Sequence, residues 1–541
     1  MVFFRMLNSD PVFWPIKDLT NAFAAKELSP IEVANLTLDR IAALDCELHS
    51  YLSVTADHAR EQAKFAERQY LKADGPFAPL LGVPLSIKDL TNAFAAKELS
   101  PVEVTNTTLE RIATLDGVLH SYLSVTAEQA LEQAKFAEEQ YLKSDEQFAP
   151  LLGVPLSIKD LFDIVGETTT LGSLAYGQEV AETDSMQVAL LRAAGSVFLG
   201  KSNTAEFGQS ATTDNRLGPD CGNPWDPSRT SGGSSGGAAS SVGAGLASAA
   251  LGSDGGGSIR IPAALCGLFG LKPTFERAPA EASFQAMTEF VGSGPITRTV
   301  ADARILLEVL LSRRFTRTSG QVTRRIAWCP SPGNHAIDPG VRLVTAAAVR
   351  LLESHGHIVE EVSLPLEGWT EAFGPLVLAD EWRYRRHLLD EDKDQLTSFV
   401  RKSIEAGAAI TEEEITAALK LKKEIGGRVA GLFADYDVIV TPTTATSAFP
   451  LGTRPTEIDG KKIHPLWGPF PFTAPFNVSG SPAASVPVGL ADGMPVGLQV
   501  VGAHHREDIV LDVCEEIEES IAFPATQMAM RWDQHKSTSA S

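Results

Sequence analysis

The sequence predicts an α/β fold, a mixed central β-sheet with helices on both faces. Three observations carry that expectation. Apolar strand-like runs, GSVFLGK at 195–201 and YDVIVTPT at 436–443, alternate with segments of helical period. The helical segment TRTVADARILLEVLL sets Val300, Ala303, Leu307 and Leu310 on one side. The chain is long, 541 residues, with 44% hydrophobic and 21% charged residues, the mix of a chain that buries a sizeable core.

Taken in order, the first fifteen residues, MVFFRMLNSDPVFWP, lack the continuous apolar stretch and small-residue cleavage site of a secretory leader. Residues 16–86 and 87–157 are then near copies, with about four positions in five identical. Both open on IKDLTNAFAAKELSP and close on FAPLLGVPLS, and IKDL itself recurs at Ile16, Ile87 and Ile158. Each copy reads as two helices followed by a strand. In the second copy Ser100 caps a helix, Pro101 suits its first position and Glu103 completes a capping box. Ala127, Ala130, Ala134, Ala137 and Tyr141 line one face of the next helix, and LLGVPLSI reads as a buried strand.

Both copies offer the same apolar faces to one docking surface on the core, which only one can occupy. Loop closure favours 87–157. The first copy is then an appendage, a contact in a homodimer, or an artefact of gene assembly. The expected organisation is a leader and duplicated segment over 1–86, a main domain over 87–520 and a tail over 521–541. Within the main domain, 313–470 is less regular and more charged and reads as a variable, pocket-forming insertion.

Composition narrows the partners. A net charge of −22 repels nucleic-acid phosphates and anionic lipid surfaces. The longest run of small apolar residues, ASSVGAGLASAALGS, is interrupted by Gly and Ser, so no membrane span is expected. Five scattered cysteines, Cys46, Cys221, Cys266, Cys329 and Cys514, form neither a disulfide framework nor a zinc pattern, which suits a cytoplasmic protein.

The stretch SGGSSGGAASSVGAGLASAALGSDGGGSIRIPAALCGLFGLKPT, 231–274, carries the chemistry. A flexible linker would not run on into the apolar IRIPAALCGLFGLKPT. A phosphate loop would need Gly-Lys-Ser/Thr, which is missing. Gly232-Gly233-Ser234-Ser235-Gly236 matches G-x-S-x-G, but the Pro-rich NPWDPSRTS precedes it where a nucleophile elbow needs a strand. A nucleophile site whose glycines let backbone N–H groups approach an oxyanion fits best.

Several ordered motifs surround it: GVPLSIKDLFDIVGETTTLGS about Lys159, GKSNTAEFG, NPWDPSRTSGGSSGG, GSDGGGSIRIPAALCGLFGLKPT, GPITRTVADA, FNVSGSPAASVPVG and GMPVGLQVVG. Over roughly 87–520 the chain resembles the amidase signature family, the Ser-cis-Ser-Lys hydrolases. The resemblance implies the amidase signature fold and an amidohydrolase that cleaves a carboxamide, anilide or carbamate C–N bond. It makes Ser258 the nucleophile, Ser234, joined by a cis peptide bond, the proton relay, and Lys159 the base. Backbone N–H groups of Gly255, Gly256, Gly257 and Ser258 would form the oxyanion hole. No cofactor or metal is implied. A free lysine with a pKa of about 10.4 must be desolvated to act as a base, and the apolar run before Lys159 suits that need. Lys88 shares the motif but runs into the helix-entry sequence TNAFAAKELS, so Lys159 is the expected base.

Asp254 and Arg260 flank the nucleophile loop and can pair to fix it, and Ser235 is expected to bond locally. His355, His357, His504 and His505 have no third metal ligand at a suggestive spacing. Cys266 reads as a small core residue, and Asn215 and Asn223 as pocket-lining loop residues. Two departures from the family pattern stand out: Gly255 where Thr is common, and Glu276 where Gly often follows KPT. The alternatives are a glutaminase subunit of a tRNA-dependent amidotransferase, and a self-associating protein impaired by its duplicated helices. The continuation FERAPAEASFQAMTEF, in place of a Tyr- and Gly-rich one, favours a free hydrolase acting on a small amide and water.

Overall fold

In the computed structural model, residues 29, 31–33, 35–36, 86–143, 148–276, 286–318, 322–521 and 523 are described. The first copy of the duplicated segment, apart from a few positions near Ser29, and all of the tail but Ile521 and Phe523 fall outside them. The chain divides into two units, Met1–Val83 and Pro84–Ser541, and the second holds the fold described below.

It begins with α1 (Ile87–Ala95) and α2 (Pro101–Leu119). The Ser100 hydroxyl accepts from the N–H groups of Val102 and Glu103, closing the expected capping box at the start of α2. A short strand β1 (Tyr122–Val125) precedes α3 (Ala127–Lys143), which buries Ala130, Ala134, Ala137 and Tyr141, while Ala127 is exposed. The second copy thus holds three helices and an extra strand, where two helices were expected. Its closing strand β2 spans Pro155–Lys159 and is buried throughout.

Beyond it come α4 (Met186–Ala193), β3 (Val197–Ser202), α5 (Gly236–Gly243), β4 (Ala249–Asp254), α6 (Arg260–Cys266), β5 (Phe269–Lys272), β6 (Gly292–Thr297) and α7 (Val300–Leu311). The next stretch supplies β7 (Arg325–Trp328), α8 (Pro339–Ser354), β8 (Ile358–Glu361), α9 (Trp369–Arg385), α10 (Ser398–Gly407), α11 (Glu412–Leu432) and β9 (Val438–Pro442). A two-stranded ribbon, β10 (Glu457–Ile458) and β11 (Lys461–Lys462), and α12 (Ala474–Val478) lead to β12 (Ala483–Ala491), β13 (Met494–Gly502) and α13 (Glu507–Ile521).

Eleven strands form one sheet in the order β1-β3-β2-β4-β6-β5-β12-β13-β9-β7-β8. β3, β2 and β4 are mutually parallel, as are β9, β7 and β8, and the remaining pairs are antiparallel. Residues 313–470, read as a less regular and more charged insertion around the strand YDVIVTPT, contribute β7, β8 and β9 to this sheet.

Side chains alternate across the sheet with the strand period. Ile326, Trp328, Val438, Val440, Val486 and Val500 pack with α7, α8 and α13 on one face. Their neighbours Ala327, Ile439, Ala483 and Val501 pack with α9, α10 and α11 on the other. The inner strands β2, β3, β4 and β9 are buried throughout, which is why they read as continuous runs without polar alternation.

Candidate active site

Adjacent parallel strands β2 and β4 pair through Leu156–Ala249, Ser157–Ala250 and Ile158–Leu251, so their carboxyl ends lie side by side. Lys159 ends β2 and Ser253 and Asp254 end β4. Outside the carboxyl ends of parallel strands is where open α/β sheets place their ligand sites.

Lys159 is fully buried, and its Nζ lies 2.7 Å from Ser234 Oγ and 2.9 Å from Ser253 Oγ. Burial drives its pKa well below the usual lysine value, against the opposing charge of Asp254. Two other lysines are as deeply buried but differently engaged. Lys201 pairs with Asp160 at 2.7 Å. Lys272 donates to Pro273 O at 2.8 Å, and burial, aided by Arg260, lowers it to about 7. Lys159 is the one in contact with the Gly/Ser motif. Lys88, on α1, is exposed and apart from this cluster.

Ser234 follows a cis Gly233–Ser234 peptide bond just before α5. Thr213 Oγ1 ties this bend down, donating to Gly232 O at 2.8 Å and accepting from Gly236 N at 3.0 Å. The next residue, Ser235, donates its N–H to Ser258 O at 3.2 Å, which joins the two serine loops, and its hydroxyl bonds Ser253 O. Ser258 is the least buried of the set, at 8% exposure against 0% for Lys159 and 1% for Ser234. Among the described residues its hydroxyl makes no hydrogen bond.

The loop between β4 and α6 is organised by Asp254. Its carboxylate accepts the N–H groups of Gly257 at 2.7 Å and Ile259 at 3.2 Å, the Asn477 amide at 2.9 Å, and a bidentate pair from Arg260. Burial alone would raise this carboxyl, but Arg260 and Asn477 outweigh it and hold it well below the usual range. Arg260 also donates to Thr473 O, Gln499 Oε1 and Asn477 Oδ1.

The four expected oxyanion donors are not equally engaged. The Gly257 N–H is spent on Asp254 Oδ1, whereas those of Gly255, Gly256 and Ser258 have no hydrogen bond among the described residues. Gly257 is required for another reason: its φ is +128°, and a Cβ there would collide with Thr473 Oγ1. At Gly255, where the family pattern favours Thr, Met287 Sδ takes the space, 2.5 Å from where a Cβ would sit.

Other sequence candidates fall elsewhere. Asn223 is fully buried, and its amide bridges Thr230 O and Leu265 O. Half-buried Asn215 bonds Asn203 and Thr204. Burial pushes the Cys266 thiol well above its ordinary value. His355 and His357 both meet Glu516 at 3.0 Å, and His504 meets Ser479 O. Sequence reasoning missed Ser253, Thr473, Asn477 and Gln499. Ser253 lies inside the motif GSDGGGS, Asn477 inside FNVSGSPAASVPVG and Gln499 inside GMPVGLQVVG, whereas Thr473 lies in none of the ordered motifs.

The sequence pattern of the Amidase family matches residues 103–511, well over half of the chain. The chain belongs to the amidase signature family. This amidase is 33% identical over 453 residues to an acylamidase of Rhodococcus erythropolis, covering 80% of this chain and 95% of the relative. It is also 33% identical over 484 residues to a glutamyl-tRNA(Gln) amidotransferase subunit of Carboxydothermus hydrogenoformans, covering 81% and 98%. The crystal structure of a bacterial aryl acylamidase of the same family superposes with a TM-score of 0.77 at 28% identity, covering 83% of this chain and 98% of that one. The amidase is accordingly a hydrolase of C–N bonds other than peptide bonds. Among the described residues, no helix is long and apolar enough to cross a membrane.

Proposed function

We propose that this amidase cleaves a carboxamide, anilide or carbamate through an acyl-enzyme on Ser258. Ser258 Oγ bonds to the carbonyl carbon while its proton passes through Ser234 to neutral Lys159. The C–N bond then breaks, the relay returns that proton to the leaving nitrogen, and water attacks the ester by the same path in reverse. Developing negative charge on the carbonyl oxygen is met by the N–H groups of Gly255, Gly256 and Ser258.

The observation that carries this reading is a fully buried lysine with its Nζ 2.7 Å from Ser234 Oγ. A charged ammonium there would lack a contacting carboxylate, so the neutral, basic form is favoured. The deciding experiment is labelling with a fluorophosphonate followed by peptide mass analysis. Modification of Ser258, suppressed in Lys159→Ala, supports the reading; modification at another residue, or equal labelling in Lys159→Ala, refutes it.

A second reading, the glutaminase subunit of an amidotransferase, is favoured by relatives such as the Carboxydothermus protein. Free glutamine hydrolysis well above that of other amides would select it.

A further inference from the structure

The nucleophile loop is walled by aromatic rings that reach it from far along the chain. A Cβ on Gly256 would lie 3.2 Å from Phe373 Cζ and 3.6 Å from Trp467 Cη2. Phe373 and Trp467 meet edge to face, with centroids 5.6 Å apart and planes at 89°. Trp369 meets Phe373 at 6.3 Å and Trp467 at 6.0 Å, again edge to face. Phe290 leans on Phe373 at 4.8 Å. Trp369 and Phe373 are buried, whereas Trp467 is half-buried and keeps part of its surface open. The wall stands beside Gly256, whose carbonyl accepts from Thr473 Oγ1 at 2.8 Å and whose N–H makes no hydrogen bond among the described residues.

We propose that Phe373, Trp467 and Trp369 form an acyl pocket selective for an aromatic acyl group, so that the preferred substrates are amides of arylacetic or benzoic acids. This deepens the acyl-transfer reading and rests on it. When the carbonyl oxygen faces the loop N–H groups, the leaving nitrogen must face Ser234 to collect its proton. The remaining substituent, the acyl group, is directed to the Gly256 side, against the rings. An aromatic acyl group completes the edge-to-face cluster there, and a methyl group does not.

The test compares phenylacetamide with acetamide, which share a leaving group and differ only in the acyl part. In the natural chain kcat/KM should favour phenylacetamide by about tenfold or more, and Trp467→Ala should lower that ratio by about tenfold. Half-buried Trp467 can be removed with little disturbance of the core, and Phe373→Leu, the second variant, should lower the ratio as well. Acetanilide against acetamide moves the ring to the amine side, and that ratio should not respond to Trp467→Ala. A phenylacetamide ratio near one, or one that neither variant changes, overturns the pocket.

Equilibrium binding to Ser258→Ala, followed by tryptophan fluorescence, separates the pocket from the chemistry. Phenylacetamide should bind about tenfold more tightly than acetamide, and the added Trp467→Ala change should abolish the difference. Equal binding overturns the pocket. Selective binding by a chain that hydrolyses no amide would support the pocket and remove the acyl-transfer reading alone.

Discussion

Lys159 and Lys88 sit in the same eleven-residue stretch, LLGVPLSIKDL, yet one is fully buried at a strand end and the other is exposed on a helix. Long-range partners decide the difference. At Lys159 the backbone is clasped by β3 and β4. At Lys88, Ser86 caps the helix by accepting from Asp89 N at 3.1 Å, and Ile87 N donates to Asp302 Oδ1 at 2.7 Å.

The proposed mechanism needs a neutral amine, a role that burial suits Lys159 for and exposure does not suit Lys88 for. Lys159→Ala should lower kcat by roughly four to six orders of magnitude, the scale seen when one member of a catalytic unit is lost. Lys88→Ala should leave kcat within about twofold, as surface changes usually do. Steady-state kinetics on both variants, with circular dichroism to confirm folding, checks this, and the reverse result would reassign the base.

The pH profile follows from the direction of the Lys159 shift. Its folded pKa is well below 10.5, so kcat/KM should rise with pH as the amine loses its proton and level off far below 10.5. In the proposed mechanism, protonation at acid pH removes the base. An acid limb that climbs only near the ordinary lysine value would mean that the amine stays charged. Lys159→Arg, charged at every accessible pH, should be inactive throughout.

How much of this was legible in the sequence varies with the range of the contacts. Because hydrophobic pattern is local, β9 and α7 fall within the runs that predict them, and β3 overruns its run by one residue, Ser202. The Gly/Ser stretch and Lys159 are legible as motifs, because close backbone approach admits little but glycine and small hydroxyl residues there. The start of the helix over Ile87–Ala95 is less so, since Ser86–Leu90 repeats the sequence of Ser157–Leu161, and only the continuation TNAFAAKELS and the long-range contact with Asp302 tell them apart. The roles of Thr473, Asn477 and Gln499 are not legible either, although the last two lie in the ordered motifs, because they reach the loop between β4 and α6 from distant segments that no spacing rule connects.

The Asp254–Arg260 pair should be worth more to the fold than any surface ion pair, because both side chains are fully buried. Arg260→Met leaves the carboxylate inside without its partner and should cost about 3–5 kcal/mol in urea unfolding. Because Asp254 is held below its ordinary value, its contribution is present above pH 3.8 and fades as pH falls through the lower, folded value. Arg260→Met should therefore flatten the acid side of the stability curve. An unchanged curve would show that the pair does not anchor the loop.

Glu276 marks a second cost. It stands where the family pattern often has Gly, and its φ is +69°, a conformation that disfavours a side chain. Glu276→Gly should stabilise the fold by about 0.5–1 kcal/mol, after allowing for the greater freedom of glycine in the unfolded chain. Chemical denaturation measures it directly, and a loss of stability would show that the Glu276 side chain compensates for its backbone.

The duplicated segment gives the last prediction. Every element of the eleven-stranded sheet and every group around Lys159 lies after Ser86, and the chain divides at Val83 and Pro84. Ser86 itself caps α1, so a deletion of residues 2–85 that keeps it preserves the helix start. That deletion should retain kcat/KM within about twofold and shift Tm by no more than about 2–4 °C, the effect of roughly 1 kcal/mol in a large domain. Gel filtration of both chains reports whether the segment also sets the oligomeric state, a change in mass marking it as a contact between chains. A deletion variant that is insoluble or inactive would make the leader and first copy together an integral part of the enzyme, and a second deletion confined to residues 16–85 would tell the two apart.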